Sequence, residues 1–254
     1  MIRVYSTDII EEQKSVYNHF VKLTEKTHGH RATYSSFIFS RNALDYPFIE
    51  DRLRGVERKG IKKILDFGAG NGTMQYHLAL SGYEEVWALD RRDFSRQVKN
   101  NQEKIGTNGA IIKVRQANFA NNNLKNYPTL PLNYFDIVIA NSSINHNWDH
   151  NIKTVVNNIW LCLKTGGMLI ATLATSNIER DYFTNKEDDP MILVKKPKTW
   201  VDIFVDIGFQ LYTEEWKDCD FDGIKKHAKN FSEFSPNNNW FKRFCPLGIS
   251  LIKS

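Results

Sequence analysis

Short apolar runs alternate along the chain with segments whose apolar residues recur every three or four positions. The first pattern is typical of strands buried on both faces, and the second is typical of helices that cover a sheet. We therefore predict an α/β fold with a mostly parallel, seven-stranded sheet between layers of helices. The predicted strands are residues 62–66, 85–90, 111–115, 135–140, 168–173, 209–214 and 248–252, and the predicted helices are 73–80, 94–105, 152–163 and 199–207.

Several segments lie outside this alternation. The apolar positions of residues 1–60 favour helices, which predicts an N-terminal helical cap ahead of a core over residues 61–254. Polar insertions interrupt the core near residues 176–198 and 217–243. Ligands of open α/β sheets bind at the carboxyl ends of the strands, so we expect the first insertion, which follows a strand directly, to cover a substrate. Thr165-Gly166-Gly167 is expected to end the helix over 152–163.

Composition narrows the class of protein. The 254 residues are 41% hydrophobic and 25% charged, as in an ordinary globular protein. No apolar run has the length that spans a membrane, and the N-terminus does not resemble a secretory signal. Three distant cysteines, Cys162, Cys219 and Cys245, favour reduced thiols and a cytoplasmic location. The net charge of +5 is spread along the chain, which gives little support to a nucleic-acid partner.

The most informative motif follows the first core strand. Asp66 ends this strand, and glycines at 68, 70 and 72 then precede a helix. The next strand ends in Asp90, eighteen residues beyond Gly72. A strand, a glycine-rich turn, a helix and an acidic strand end form half of a Rossmann unit, which brings backbone close to a nucleoside-bearing cofactor. The glycine register differs from the G-x-G-x-x-G of dinucleotide-binding domains, which remain the rival interpretation.

Four stretches in order resemble the class I, Rossmann-like S-adenosylmethionine (SAM)-dependent methyltransferases. Residues 66–72 resemble the D/E-x-G-x-G-x-G loop of the family, and Asp90 resembles its ribose-binding acid. Residues 135–143 resemble the fourth strand with its following loop, and residues 163–169 resemble the L-K-P-G-G-x-L turn, with Thr165 in place of proline. The resemblance covers roughly residues 60–215 and implies a doubly wound sheet with SAM as cofactor.

The resemblance also implies a set of cofactor-binding residues. They are Asp66, Gly68, Ala69, Gly70, Gly72, Asp90, Arg91, Asn118, Phe119 and Asn141. At the third strand the family often has an acid that contacts adenine, whereas this chain has Gln116 and Asn118. Either amide can accept that hydrogen bond through its carbonyl oxygen.

The segment after the fourth strand is the candidate for catalysis. Residues 141–146 resemble the S-S-S-I-E-H stretch of bacterial methyltransferases that act on sugars and small metabolites, with Asn145 in place of Glu. Histidine titrates near neutrality, so His146 is predicted to act as a base or to bind substrate, and the alternative is a helix cap. His150 is a further substrate candidate. If the next helix begins early, both histidines share a face. We nevertheless expect no metal site.

Tyr34 and Arg41, in the N-terminal region, are further candidates to contact the acceptor, and the alternative is that this region only packs as a cap. We predict a methyltransferase that acts on an O or N atom of a small polar acceptor, with a sugar or glycan precursor as the first choice by analogy with the family. The alternatives are an RNA or protein methyltransferase, and a non-catalytic SAM-binding subunit. The oligomeric state is open, with a homodimer as one option.

Overall fold

The computed structural model describes residues 2–4, 8–30, 42–56, 63–107, 110–120, 130–182, 192–212, 216–217 and 245–254. The described strands are β1 (Ile2–Val4), β2 (Lys63–Phe67), β3 (Glu85–Asp90), β4 (Ile112–Gln116), β5 (Phe135–Asn141), β6 (Leu163–Thr175), β7 (Arg180–Tyr182), β8 (Ile192–Val194), β9 (Phe209–Leu211), β10 (Trp216–Lys217) and β11 (Cys245–Lys253). The described helices are α1 (Asp8–Glu12), α2 (Lys14–His28), α3 (Asn42–Arg54), α4 (Met74–Leu80), α5 (Ser95–Ile105), α6 (Asp149–Cys162), α7 (Pro197–Ile207) and a 3-10 helix, Ile144–His146.

The main sheet has the order β10-β1-β11-β6-β5-β2-β3-β4, and β9 also pairs with β11. Strands β2 to β6 run parallel to their neighbours, whereas β11 is antiparallel to β6 and to β9. The prediction of a doubly wound, mostly parallel sheet is confirmed. Seven of the described strands correspond to the predicted ones, and the short strands β1 and β10 extend the sheet beside β11. The strand order reverses between β2 and β5, which is where ligands bind in such folds.

The central strands are buried on both faces, and their side chains alternate between two cores. Ile64, Ile137 and Ile139 pack in one core with apolar residues of α2 to α5. Leu65 and Val138, their neighbours in sequence, pack in the other core with residues of α6 and α7. Because successive strand residues point to opposite faces, continuous apolar runs become two layers of contacts. This double burial fixes β2, β3 and β5, whose carboxyl ends carry the candidate motif.

The N-terminal helices pack on the same face as α4 and α5. Phe48 of α3 lies against Gly248 of β11, where a side-chain Cβ would come within 2.3 Å of the phenyl ring. His77 of α4 forms hydrogen bonds to both N-terminal helices. Its Nε2 lies 2.9 Å from Oε2 of Glu50 in α3, and its Nδ1 lies 3.1 Å from Nε2 of His19 in α2. Helices α2 and α3 are therefore tied to the helix that follows the glycine loop. The division into a cap over 1–60 and a core stays a prediction.

Several predicted boundaries are corrected by the structure. The N-terminal region is not helical throughout, since β1 pairs with β11 and buries Ile2 in the sheet. Helix α6 starts at Asp149 and ends at Cys162, before the Thr165-Gly166-Gly167 turn, because Leu163 is already extended and pairs with Phe135. Of the predicted strand 209–214, residues 209–211 form β9, and residues 213 and 214 lie outside the described residues. Residues 183–191 of the first predicted insertion and residues 218–243 of the second lie outside the described residues.

Candidate active site

A cavity of about 710 Å³ opens at the carboxyl ends of β2, β3 and β5. The structure brings together on it ten of the residues predicted from sequence, from loops that are distant along the chain. These are Gly68, Ala69, Gly70, Gly72, Asp90, Arg91, Asn118, Phe119, Asn141 and His146. Their common location follows from the parallel sheet, which places the ends of its strands at one edge.

The glycine loop is held against the end of β3. The backbone N–H groups of Gly68 and Ala69 both donate to the carbonyl oxygen of Leu89, at 2.8 and 2.9 Å. Gly68 has φ of +70° and Gly70 has φ of +51°, which is the left-handed region that glycine occupies most easily. A Cβ on Gly68 would lie 2.3 Å from Cβ of Ser143. The loop after β5 therefore packs directly on a position that tolerates no side chain.

Asp90 connects the end of β3 to this loop. Its Oδ2 accepts the N–H of Gly70 at 3.0 Å, and its Oδ1 accepts the N–H of Arg92 at 2.9 Å. The carboxylate is thereby fixed in orientation at the cavity wall. Each oxygen keeps a further lone pair, so the group can still accept hydrogen bonds from a ligand's hydroxyl groups.

Asp66 lies beneath the loop and is 2% exposed. Burial, followed by the negative charge of Asp90, raises the pKa of Asp66 to about 7, and a hydrogen bond from the backbone N–H of Gln75 opposes the rise. Asp66 is outside the cavity lining, so it supports the loop from below and does not contact the open space. Sequence alone places Asp66 at the strand end, but it does not reveal this burial.

We expect the free energy of unfolding to depend on pH through the protonation of Asp66. Its pKa in the fold is above its ordinary value of 3.8, so its stabilising contribution is complete below about pH 4 and is lost as pH rises through 7. Relative to Asp66→Asn, the wild-type free energy of unfolding should fall over this range by up to about 1.4 kcal/mol per pH unit. Urea unfolding at a series of pH values measures the difference. If the free energies of unfolding of the two proteins changed in parallel with pH, Asp66 would not retain a proton in the folded protein.

The segment after β4 forms the wall beyond Asp90. Phe119 is 2% exposed and its ring lies 5.0 Å from that of Phe67, while Asn118 Oδ1 accepts the N–H of Ala120 at 3.0 Å. Of the two amides that the sequence left open for adenine, Asn118 lines the cavity. Gln116 does not, and its side chain instead donates to the carbonyl oxygen of Arg91.

The loop after β5 forms the opposite wall. Asn141 Nδ2 donates to Asn42 Oδ1 at 2.9 Å, and its Oδ1 accepts from the hydroxyl of Thr172 at 3.0 Å. Ser142 has φ of +50°, an uncommon conformation for a residue with a side chain, and its N–H donates to Thr172 Oγ1 at 2.9 Å. Strained backbone of this kind concentrates at functional sites, where the surrounding contacts hold it in place.

His146 lies in the 3-10 helix after this loop and lines the cavity beside Asn147 and Trp148. Trp148 is 46% exposed at the same wall. His150 is exposed on the first turn of α6 and does not line the cavity. A shared face was expected only if this helix began early; α6 begins at Asp149, so His146 and His150 do not belong to one helix and the condition is not met. Asn145 is fully buried and is also outside the cavity lining.

Helices α2 and α3 contribute cavity residues that were not predicted. His28, Asn42 and Tyr46 reach the space from these helices, although no motif in their sequence marks them. His28 also contacts the glycine loop, with 3.1 Å between its Nε2 and Asn71 Oδ1. The predicted candidates from the same region, Tyr34 and Arg41, lie outside the described residues.

The described residues hold neither a metal-binding cluster nor a membrane-spanning helix. They contain no group of three or more His, Cys, Asp or Glu side chains that could hold a metal ion. In that part of the chain, no helix combines the length and the apolar character needed to cross a membrane.

Comparisons with known proteins agree with this geometry. Residues 64–167 match the family model described as a methyltransferase domain. No curated protein sequence matches the chain. Among solved structures, a 1,6-didemethyltoxoflavin-N1-methyltransferase from Burkholderia thailandensis has a TM-score of 0.59 at 14% identity, with 96% of this chain and 90% of that chain covered.

Two further structures show the range of proteins with this fold. A SAM-dependent methyltransferase from Methanosarcina mazei has a TM-score of 0.59 at 16% identity, with 82% of this chain and 97% of that chain covered. The cyclase SpnF has a TM-score of 0.55 at 13% identity, with 82% of this chain and 83% of that chain covered. At these identities the likeness concerns the fold alone.

The domain match covers the glycine loop, Asp90 and the loop after β5, the same stretches that form the cavity wall. The protein is therefore a methyltransferase enzyme, and SAM is its cofactor. The described cavity residues fit that group, because they offer a glycine loop that admits backbone contact and an oriented carboxylate for ribose hydroxyls.

Proposed function

We propose that SAM lies in this cavity and that its methyl group passes to an O or N atom of a small polar acceptor. The observation that carries the proposal is the continuity of the cavity. One space extends from the glycine loop and Asp90 to His146 and Trp148, so cofactor and acceptor can lie next to each other. A sugar or another glycan precursor is the acceptor class that we propose first.

The cofactor would lie along the wall formed by the glycine loop. The loop glycines admit close approach, and the ribose hydroxyls would donate to Asp90, whose two oxygens are already oriented by Gly70 and Arg92. Adenine would lie near Asn118 and Phe119, and Arg91 would flank it. Asp66 would act from beneath by supporting the loop, and Asn141, held by Asn42 and Thr172, would line the side toward the acceptor.

The methyl carbon of SAM is already activated, because it is bonded to a positively charged sulfur that is a good leaving group. The protein therefore mainly has to align the acceptor with that carbon. The acceptor atom attacks the methyl carbon in line with the breaking carbon–sulfur bond, and the sulfur retains the electron pair. When the acceptor is a hydroxyl, its proton must leave during the transfer. We assign that proton to the imidazole of His146, which lines the cavity and would act as a general base.

The wall around His146 supports a small polar acceptor. Asn151 offers an amide group there, and Asn147 offers the carbonyl oxygen of its amide, whose Nδ2 donates to the backbone carbonyl oxygens of Ser143 and Ile144. Trp148 offers a partly exposed aromatic face. Amides can pair with hydroxyl groups, while an indole face packs against a ring. The Burkholderia thailandensis methyltransferase has 1,6-didemethyltoxoflavin and S-adenosylhomocysteine bound together, so a protein of this fold can bind a small molecule along with the demethylated cofactor.

We also propose four further properties of the protein. They are a cytoplasmic location, a role in carbohydrate biosynthesis, a division into an N-terminal cap over residues 1–60 and a core, and the option of a homodimer. Gel filtration coupled to light scattering would test the last of these. An RNA or protein acceptor has less support, because the positive charge is spread along the sequence.

Release of S-adenosylhomocysteine tests the proposed transfer, because only methyl transfer produces it from SAM. A protein that binds SAM but releases no product with any of a broad set of small polar acceptors would contradict the proposed acceptor class.

Calorimetric titration with S-adenosylhomocysteine tests the cofactor site. Both Asp90 oxygens accept backbone N–H groups. In Asp90→Asn the NH₂ group must face one of these donors, so one of the two hydrogen bonds is lost. We expect the dissociation constant to rise about tenfold or more. Asp93→Asn is the matched control, because Asp93 lies three residues away and outside the cavity lining. If the wild-type protein does not bind S-adenosylhomocysteine, the proposed site is wrong.

A further inference from the structure

Tyr46 of α3 reaches the glycine loop from the N-terminal part of the chain. Its side chain is 2% exposed and lines the cavity. The phenol oxygen accepts the backbone N–H of Thr73 at 3.1 Å, and it also pairs with the backbone N–H of Met74. Thr73 and Met74 are both buried, so water does not replace this partner.

The side chain of Thr73 does not cap the following helix in the usual way. Thr73 precedes α4, a position where a threonine hydroxyl usually accepts a hydrogen bond from the first turn of the helix. Here it makes no such bond, and its hydroxyl lies 3.0 Å from that of Thr24 in α2 instead. The N–H of Gln75 is accepted by Asp66, so the N–H groups at the start of α4 are held by the phenol oxygen of Tyr46 and the carboxyl group of Asp66, both from other elements.

The fit between Tyr46 and the loop is close. A Cβ on Gly72 would lie 3.0 Å from the phenol oxygen and 2.9 Å from the carbonyl oxygen of Ala69. Burial is the main cause that raises the pKa of Tyr46 well above its usual range, so the phenol stays neutral. A neutral oxygen suits the acceptance of two backbone N–H groups without an added buried charge.

We propose that Tyr46 is a positioning residue for the SAM-binding loop, holding the Gly72–Thr73 turn in the conformation that binds the cofactor. The inference rests on the proposed location of SAM at this loop. Without the phenol oxygen, two buried N–H groups lose their partner. A conformation in which the turn moves toward another acceptor then becomes more favourable in free energy. If the binding conformation is then populated about one tenth of the time, the apparent dissociation constant rises about tenfold.

Tyr46→Phe tests this proposal, with Tyr76→Phe as the matched control. Tyr76 is also fully buried, but its hydroxyl accepts from Asn101 Nδ2 of α5 and it does not line the cavity. Calorimetry with S-adenosylhomocysteine should give a dissociation constant about tenfold higher for Tyr46→Phe and within about twofold of wild type for Tyr76→Phe. Thermal melting of each protein separates lost affinity from lost stability. Equal affinities for wild type and Tyr46→Phe would overturn the proposal.

Amide hydrogen exchange in the wild-type protein keeps the proposal testable even if Tyr46→Phe does not fold. The amides of Thr73 and Met74 should be protected without ligand, and saturating S-adenosylhomocysteine should protect them further. Exchange at the rate of an open loop would overturn the proposal for Tyr46. A wild-type protein with protected amides but no affinity for S-adenosylhomocysteine would contradict the proposed function instead, so the two failures are distinct.

Discussion

Gly68→Ala should abolish detectable binding of S-adenosylhomocysteine. The methyl group of alanine would have to occupy a point 2.3 Å from Cβ of Ser143, and φ of +70° adds the cost of left-handed backbone. Relief requires the glycine loop or the loop after β5 to move, and both line the cavity. Calorimetry should show an affinity at least about a hundredfold weaker, which corresponds to about 2.8 kcal/mol.

Gly106→Ala separates the clash from the backbone cost. Gly106 has φ of +66°, close to that of Gly68, but a Cβ there would meet nothing within 4 Å. This control should lose about 1 kcal/mol of stability and retain its affinity for S-adenosylhomocysteine. The double variant Gly68→Ala, Ser143→Gly removes the opposing side chain and should recover part of the binding. No recovery would mean that backbone strain, and not contact with Ser143, excludes a side chain at position 68.

The central strands could be predicted because burial on both faces leaves a clear pattern in the sequence. Strands β2 to β5 begin within one residue of the predicted positions. Strand β1 could not be predicted, because three residues carry no period and only their pairing with β11 makes them a strand. The start of α6 was also missed, since its first turn is polar and exposed.

The same distinction applies to the candidate site. Residues at the end of a strand or just after it, such as Asp90 and Gly68, were predicted from the motif because the sheet itself places them. Tyr46 and His28 were not, because their position depends on how α2 and α3 pack on α4. The burial of Asp66 and the left-handed backbone of Ser142 likewise arise from tertiary contacts. The sequence thus describes the loops at the strand ends, while the cavity residues from α2 and α3 depend on packing.

His146→Ala should reduce turnover with a hydroxyl acceptor by about 10²- to 10⁴-fold while leaving the affinity for S-adenosylhomocysteine within about twofold of wild type. The reason is that a general base acts on the acceptor proton and contributes little to binding of the cofactor. Turnover is measured as release of S-adenosylhomocysteine with an acceptor that supports it. In the wild type, the rate should also fall at acid pH, because protonation of the imidazole removes the lone pair that accepts the proton. This acid limb should be absent in His146→Ala.

His150→Ala is the matched control for this assignment. It removes the same imidazole four residues away, from an exposed position outside the cavity lining, and should leave turnover unchanged. His146→Gln adds a second comparison, because an amide can still form a hydrogen bond with the acceptor but cannot take its proton. Near-normal turnover in His146→Gln would assign His146 to acceptor binding. Near-normal turnover in His146→Ala, with the same loss of rate at acid pH as in the wild type, would restrict His146 to a structural role. A strong loss in both variants with intact binding would fit only a base, since the reaction would then lack a group to receive the proton.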